Sequence, residues 1–232
     1  MRWQERQDKT EQTVYDAINE LSEILSIELP YYPEVWWMGN ALKFNQLGLP
    51  EFLRDELEFR QSTGISYYIP TYKMVMIGRK VTEHAILEES SHAFHFIRSG
   101  VSYSGRTTQE MKCLHALVEM MGMLGARILG SKLENPYDGF PDVTRMTKES
   151  QKQVSKLIEE KIGDGYDIDD FFIYQQGYGL ADRIYFRYLT DEVKLSQIRR
   201  LFLSKLNGKE GVIGKFVRLK NKYWPHENLQ AV

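Results

Sequence analysis

The side chains of this chain best suited to chemistry are concentrated in one short stretch, residues 83–96. It holds three of the chain's five histidines and two adjacent glutamates, namely His84, Glu88, Glu89, His92 and His95. Residues three or four apart lie on the same face of a helix, so Glu88 and His92 are predicted neighbours, with His84 and His95 extending the same stripe. Carboxylate and imidazole groups both bind divalent metals, and the spacing therefore predicts a metal site.

The residues that flank this stretch predict that it is helical. Thr82 is a favoured N-cap residue, and Glu83 would place an acidic group in the first turn. Ser99 and Gly100 form a typical helix stop. We therefore expect a helix from about residue 82 to residue 97, with the candidate ligands along its length.

The sequence Glu-Glu-Ser-Ser-His at residues 88–92 resembles the His-Glu-x-x-His motif of the zincin metallopeptidases, with glutamate in place of the first histidine. The β-rich runs at 65–77 resemble the hairpin that often precedes the motif helix in that family. The next helix offers Glu119 where the gluzincin type has its third ligand. The resemblance spans residues 65–129 and implies a zincin-like fold.

The same resemblance implies a metal-dependent hydrolase that acts on a peptide or protein substrate. Glu88, His92 and Glu119 would hold the metal, and Glu89 would act as general base. Zinc accepts carboxylate ligands, but two carboxylates with one imidazole form a harder set that also suits iron or manganese. Because the first histidine is missing, a degenerate relative without hydrolytic activity stays open.

Two other interpretations of these residues also stay open. Glu89-x-x-His92 has the spacing found in di-iron helical bundles, although the sequence holds no second Glu-x-x-His. Alternatively, imidazole and carboxylate groups on one helix can satisfy each other as a hydrogen-bonded polar face without any metal.

Four further residues are candidates for the site in addition to Glu88, Glu89, His92 and Glu119. His84, His95 and His115 are additional candidate ligands, although His115 is also typical of a core histidine. Tyr178 is the tyrosine expected nearest the site. Gly177 and Gly179 flank it within a helical pattern, which indicates either a kink or a close approach of another helix.

Hydrophobic periodicity predicts a mainly helical α+β fold with a small three-stranded sheet packed on the 82–97 helix. The predicted strands are 35–38 and the two runs of the 65–77 hairpin. The predicted helices are 13–27, 49–60, 82–97, 107–129, 146–162, 168–189 and 191–206. The stretch from 208 to 224 is left unassigned.

We expect one domain over residues 1–232. Its first part, 1–134, would hold the zincin-like sheet and the motif helices, and 142–232 would be a helical part that completes the core. The loop at 135–141, with two prolines and a glycine, is the best internal boundary.

Composition and charge bound the function classes. The formal net charge of −2 gives no overall attraction to nucleic acid or anionic membrane. The stretch 194–222 is nonetheless rich in lysine and arginine, so the alternative function is a non-catalytic binding or structural protein whose basic C-terminal face contacts a partner or nucleic acid.

The remaining features predict a cytoplasmic protein with no membrane partner. Cys113 is the sole cysteine and cannot form an internal disulfide, and its apolar neighbours indicate a core position. Residues 1–12 lack the apolar stretch of a signal peptide. No apolar run reaches the roughly 18 residues of a transmembrane helix.

Overall fold

The chain forms seven helices and one small sheet within the residues that the computed structural model describes: 3–38, 66–78, 81–101, 103–137, 140, 142, 146–162, 168–206 and 211–224. The helices are α1 Trp3–Leu25, α2 Glu83–Ser99, α3 Thr108–Ile128, α4 Lys148–Ile162, α5 Ile168–Leu189, α6 Leu195–Leu203 and α7 Gly211–Tyr223. The strands are β1 Glu34–Trp37, β2 Tyr67–Ile69 and β3 Met74–Ile77. The predicted mainly helical α+β class is confirmed, whereas the helix predicted over 49–60 lies outside the described residues.

The sheet has the strand order β1-β3-β2, with β3 parallel to β1 and antiparallel to β2. All four residues of β3 are buried, as its continuous apolar sequence indicates for a central strand. Val75 and Ile77 face the main core together with Phe94 of α2, while Met74 and Met76 belong to a smaller cluster. Alternation along the strand thus places one face of the sheet against the motif helix.

Helix α1 begins at Trp3, well before the predicted start at Thr13. Periodicity missed these residues because the first turns are largely polar. One of them, Gln7, is buried and hydrogen-bonds both ways with strand β1. Its amide nitrogen donates to the carbonyl oxygen of Val35 at 2.6 Å, and its side-chain oxygen accepts from the backbone N–H of Trp37 at 2.8 Å. The first turns of α1 are therefore hydrogen-bonded to β1, an edge strand of the sheet.

Helix α2 has the predicted ends. The Thr82 hydroxyl accepts a hydrogen bond from the backbone N–H of Ala85 at 3.2 Å, and Gly100 ends the helix in the left-handed conformation with φ of 63°. Nearly every side chain from Glu88 to Phe96 is buried, although the segment is rich in polar groups. Buried polar groups are costly unless they are paired, and Ser90 and Ser91 donate to carbonyl oxygens of the same helix, so the buried carboxylates and imidazoles are the groups whose surroundings matter.

Helix α3 is the central helix of the molecule. A capping box between Thr107 and Glu110 fixes its start, and its interior is buried where it packs against α2, α5 and α7. The stretch that sequence left unassigned forms α7 from Gly211. Helix α6 is shorter than predicted because Asp191, with φ of 60°, lies in a turn rather than a helix.

Candidate metal centre

The packing of α3 on α2 brings three potential metal ligands together. Glu88 and His92 are one turn apart on α2, and Glu119 comes from the middle of α3. The ligand atoms of these three side chains all lie within 4.8 Å of one another. Nε2 of His92 is 3.7 Å from Oε2 of Glu119. The structure therefore places in one cluster the same three residues that the zincin resemblance implies as ligands.

The cluster is largely shielded from water. Glu88 and His92 are buried, at 9% and 7% exposure, while the side chain of Glu119 retains 20%. A cation here would be held mainly by protein oxygen and nitrogen atoms, with access from the side of Glu119. This burial is typical of a built site rather than of a chance group of surface carboxylates.

Two glycines allow α2 and α5 to pack closely against α3 at the cluster. A Cβ on Gly122 of α3 would lie 2.4 Å from both Cε1 and Nε2 of His92, so the imidazole occupies the space that a side chain would need. A Cβ on Gly177 of α5 would lie 2.7 Å from Cβ of Glu119 and 2.8 Å from the carbonyl oxygen of Ala116. Of the two readings of Gly177 from sequence, the close approach of another helix is the one that the structure shows.

Both carboxylate oxygens of Glu88 contact other polar groups. The hydroxyl of Tyr178 on α5 donates to Oε1 at 2.7 Å, and Nε2 of His84 lies 3.1 Å from Oε2. The other ring nitrogen of His84, Nδ1, lies 2.7 Å from the hydroxyl oxygen of Ser131. Such outer contacts orient a ligating carboxylate and are a normal part of metal sites.

A polar network fixes Ser131 in turn. Arg127 donates from Nη1 to the carbonyl oxygen of Ser131 at 3.1 Å and from Nε to Asp182 of α5 at 2.8 Å. Asn135 donates to the second oxygen of Asp182 at 2.9 Å. The C-terminal end of α3, the loop that follows it and α5 are thereby held together behind His84.

The surroundings shift the pKa values of the two carboxyl groups in opposite directions. Burial acts to raise the pKa of Glu88, but contact with His84, the interaction with His92 and the hydrogen bond from Tyr178 outweigh it and hold that pKa below its usual value. For Glu119, burial and the negative charge of Glu88 both raise the pKa well above the usual value. Glu88 is therefore ionised at neutral pH, whereas Glu119 is the carboxyl group that binds a proton more readily, and a cation would compete with that proton.

The imidazole of His92 is in the form that a metal requires. Burial lowers its pKa, and the nearby Glu88 only partly opposes this effect, so the ring is neutral at pH 7. Its Nε2 faces the cluster, whereas its Nδ1 is buried without a hydrogen-bond partner. The ring is therefore positioned by packing against Gly122 and not by the second-shell hydrogen bond common for ligating histidines.

The other candidates from sequence are not members of the three-residue cluster. Glu89 is buried on α2 but is not a member of the three-residue cluster. His95 packs edge-on against Phe202 of α6, with neither ring nitrogen hydrogen-bonded. His115 packs against the ring of Tyr103, with ring centroids 5.3 Å apart. His84 contacts Glu88 but does not join the cluster itself.

The di-iron interpretation needs more ligands than this cluster holds. A di-iron bundle uses four carboxylates and two histidines, whereas the group that forms among the described residues has two carboxylates and one histidine. Three ligands suit one metal ion with open positions.

Sequence reasoning missed Ser131 and Gly122. Ser131 lies in an ordinary polar loop, and nothing in its neighbours indicates a contact with His84. Gly122 gives a weak signal, because it lies one helical turn after Glu119 and so shares its face of α3. A glycine on the same helix face as a candidate ligand would have indicated that a bulky group from another helix fills the space.

Comparison of the chain with family models, curated proteins and solved structures found no match. Among the described helices, none combines the length and the apolar character that crossing a bilayer requires. The fold and the cluster therefore define a mainly helical α+β protein with one candidate metal centre among the described residues, and function has to be argued from that centre.

Proposed function

We propose that this protein is a zincin-like metal-dependent hydrolase in which Glu88, His92 and Glu119 hold one divalent metal ion. The observation that supports it is the cluster itself: two helices bring an imidazole and two carboxylates within 4.8 Å of one another in a mostly buried site. The fit extends beyond the three ligands, because Tyr178 and His84 orient Glu88 from behind.

The ligand set favours a harder metal than a histidine-rich site would. Two carboxylates and one imidazole suit Fe²⁺ or Mn²⁺ as well as Zn²⁺. Such an ion supplies a Lewis acid that polarises a carbonyl group and makes water more acidic, although the additional negative charge of Glu88 weakens the second effect relative to a site with two histidines.

The chain's own residues have separate roles in this proposal. Glu88 and His92 anchor the cation from one face of α2, and Glu119 supplies the third ligand after losing its proton. Glu89 takes the proton of the attacking water as general base, the role that the zincin resemblance implies. Tyr178 positions Glu88 through its hydroxyl group. A peptide or protein substrate would approach from the side where Glu119 is partly exposed.

The experiment compares peptide hydrolysis by matched variants on α2. The protein is loaded separately with Mn²⁺, Fe²⁺ or Zn²⁺ and incubated with a mixture of peptides that is analysed by mass spectrometry. We expect cleavage by the wild type and by Glu83→Gln, an exposed carboxyl on the same helix. His92→Ala should lose metal and cleavage together, whereas Glu89→Gln should keep the metal and lose cleavage. Equal cleavage by Glu89→Gln and the wild type would overturn the role of Glu89.

A further variant tests the zincin resemblance directly. Glu88→His restores the complete His-Glu-x-x-His pattern and exchanges a hard ligand for an imidazole. We expect its relative affinity to shift from Mn²⁺ toward Zn²⁺. A variant that binds neither metal, while remaining folded by circular dichroism, would contradict the zincin resemblance, because a histidine at position 88 could not serve as the first ligand.

The alternative function is non-catalytic binding through the basic C-terminal face. Six basic side chains of α6, α7 and the adjoining turns are exposed, namely Lys194, Arg199, Arg200, Lys205, Arg218 and Lys222. Lys215 and Lys220 do not contribute, because they are directed to Ser204 and Asp142 respectively. A nucleic-acid affinity that falls steeply with salt, together with absence of peptide cleavage, would favour this alternative.

A further inference from the structure

An open groove lies where the C-terminal ends of α1 and α2 meet α6. Its volume is about 490 Å³, within the usual range for a small-molecule site. Arg98 from the last turn of α2 and Arg199 from α6 both line it. The groove is separate from the metal cluster, because Arg98 lies six residues beyond His92 on α2, roughly 9 Å along the helix axis.

The two arginines lack the partners that several other arginines of the described residues have. Arg127 pairs with Asp182, and Arg187 with Glu192, at nitrogen-to-oxygen distances of 2.8 and 3.8 Å. Arg6 and Arg183 lie over tryptophan rings. Arg98 and Arg199, in contrast, have no carboxylate within ion-pair distance among the described residues, and both are exposed.

The charge of the groove is positive despite one carboxylate in its lining. Glu28 is exposed and forms no ion pair with either arginine. Two guanidinium groups supply ten N–H donors in planar forks, which match an oxyanion that has several oxygens. The nearby ends of α1 and α2 present the negative pole of each helix, so an anion bound here must depend on the arginines themselves.

The rest of the lining favours an organic ligand over a bare ion. Leu29, which is partly buried, follows the end of α1, and Leu203, which is exposed, comes from the end of α6, whereas Ile27 is buried in the core. An apolar body could contact Leu29 and Leu203 while its anionic group reaches the guanidinium groups. We infer that this groove binds a phosphate monoester with an apolar body, because a dianion with three terminal oxygens matches two arginines better than a carboxylate does.

The test is calorimetric titration of the protein, freed of metal with a chelator, with phenyl phosphate, inorganic phosphate and benzoate at low ionic strength. Phenyl phosphate should bind most tightly, because it alone combines a dianion with an apolar ring. Arg98→Gln and Arg199→Gln should each weaken its binding about tenfold or more, as expected for losing a charge-assisted contact. Glu28→Gln should strengthen binding by removing a repulsive charge.

Two controls separate this site from general surface charge and from the metal cluster. Arg200→Gln removes the adjacent exposed arginine, which does not line the groove, and should leave the affinity within about twofold of the wild type. His92→Ala should also bind phenyl phosphate normally, so failure of the metal proposal would not affect this one. Unfolding midpoints show that each variant is folded.

Several results would overturn the inference. Absence of phenyl phosphate binding excludes the site, and so does an affinity that Arg98→Gln and Arg199→Gln leave unchanged. An equal loss in Arg200→Gln would show unspecific surface attraction. Benzoate binding as tightly as phenyl phosphate would contradict the phosphate class, and inorganic phosphate doing so would contradict the apolar body.

Discussion

At the scale of single residues, Glu88 is the most constrained group of the candidate site. It is buried, ionised, and contacted on one oxygen by Tyr178 and on the other by His84. A carboxylate fixed in this way loses little freedom when it binds a cation. The arrangement thus favours binding through preorganisation rather than through a large number of ligands.

Removing the Tyr178 hydroxyl should weaken metal binding without removing a ligand. Tyr178→Phe deletes the 2.7 Å hydrogen bond that orients Glu88, and we expect the metal affinity to fall about 10–100-fold. Competition against a fluorescent chelator measures this change. Tyr185→Phe, on the same helix and remote from Glu88, is the control and should bind like the wild type. Equal affinities for the two variants would mean that the hydroxyl has no part in the site.

Metal affinity should increase with pH because of Glu119. Its pKa is raised well above the usual value by burial and by Glu88, so the cation has to displace a proton. Affinity therefore falls as the pH falls through that raised pKa, and below that pKa each bound ion displaces the proton of Glu119. Titration calorimetry in buffers of different ionisation enthalpy counts the protons released. Glu119→Gln should abolish this release, and an unchanged count in that variant would refute the assignment.

Sequence predicted which three residues form the cluster better than it predicted their surroundings. The pairing of Glu88 with His92 follows from helical geometry alone, and Glu119 followed from the zincin resemblance. The contact between His84 and Ser131 could not be predicted, since it depends on where the loop after α3 returns. Sequence predicted that Tyr178 lies near the site. Its hydrogen bond to Glu88 could not be predicted, because it depends on the rotation of α5 about its axis.

At the scale of elements, the site depends on how closely α3 approaches its two neighbours. Helix axes come closest where one helix has no side chain. Gly122 of α3 provides such a position toward α2, and Gly177 of α5 provides one toward α3. The pairing of helices cannot be predicted from hydrophobic periodicity, because periodicity identifies the buried face of a helix but not the helix that covers it.

Two glycines of α5 should differ in their tolerance of alanine. At Gly177 a methyl group would meet the backbone of α3, the Ala116 carbonyl oxygen at 2.8 Å, which cannot move locally. At Gly179 it would meet the ring of Trp224 at 2.6 Å, a side chain that can rotate away. Gly177→Ala should therefore lower the free energy of unfolding by about 1–3 kcal/mol, and Gly179→Ala by less. Urea unfolding gives both values. The reverse order would contradict the close packing of α5 on α3.

At the scale of the whole molecule, sequence predicted the class and the order of the elements, but with errors where polar residues dominate. The first turns of α1 were missed because Gln7 is buried for its hydrogen bonds to β1 and not for hydrophobicity. The boundaries of α2 were predicted correctly because Thr82 and Gly100 are strong local signals.

Stability should decrease in mild acid through His95. Burial, His92 and Lys215 lower its pKa to about 3 from the ordinary 6.5, so protonation favours the unfolded chain. The stability that depends on a neutral His95 ring is fully present above pH 6.5 and is lost as the pH falls toward 3. In this range the free energy of unfolding falls by up to about 1.4 kcal/mol per pH unit. Urea unfolding at several pH values measures this slope.

Replacing His95 isolates its part of that dependence. His95→Leu has a similar volume and removes two buried nitrogens without partners, so stability at pH 7 should stay equal or increase. Its slope between pH 6.5 and 4 should be shallower than that of the wild type, while His92, whose pKa is also lowered by burial, still adds acid sensitivity in both proteins. Parallel curves for the two proteins would show that His95 is not buried as a neutral ring.

The most direct test of the candidate centre is the number of metal ions that each chain retains. The protein is incubated with Mn²⁺, Fe²⁺ or Zn²⁺, passed through a desalting column and measured by native mass spectrometry. The wild type and Glu83→Gln should retain one ion per chain of at least one metal, and His92→Ala and Glu119→Ala should retain none. A wild type that retains none of the three metals, or ligand variants that retain as much as the wild type, would contradict a metal centre at Glu88, His92 and Glu119.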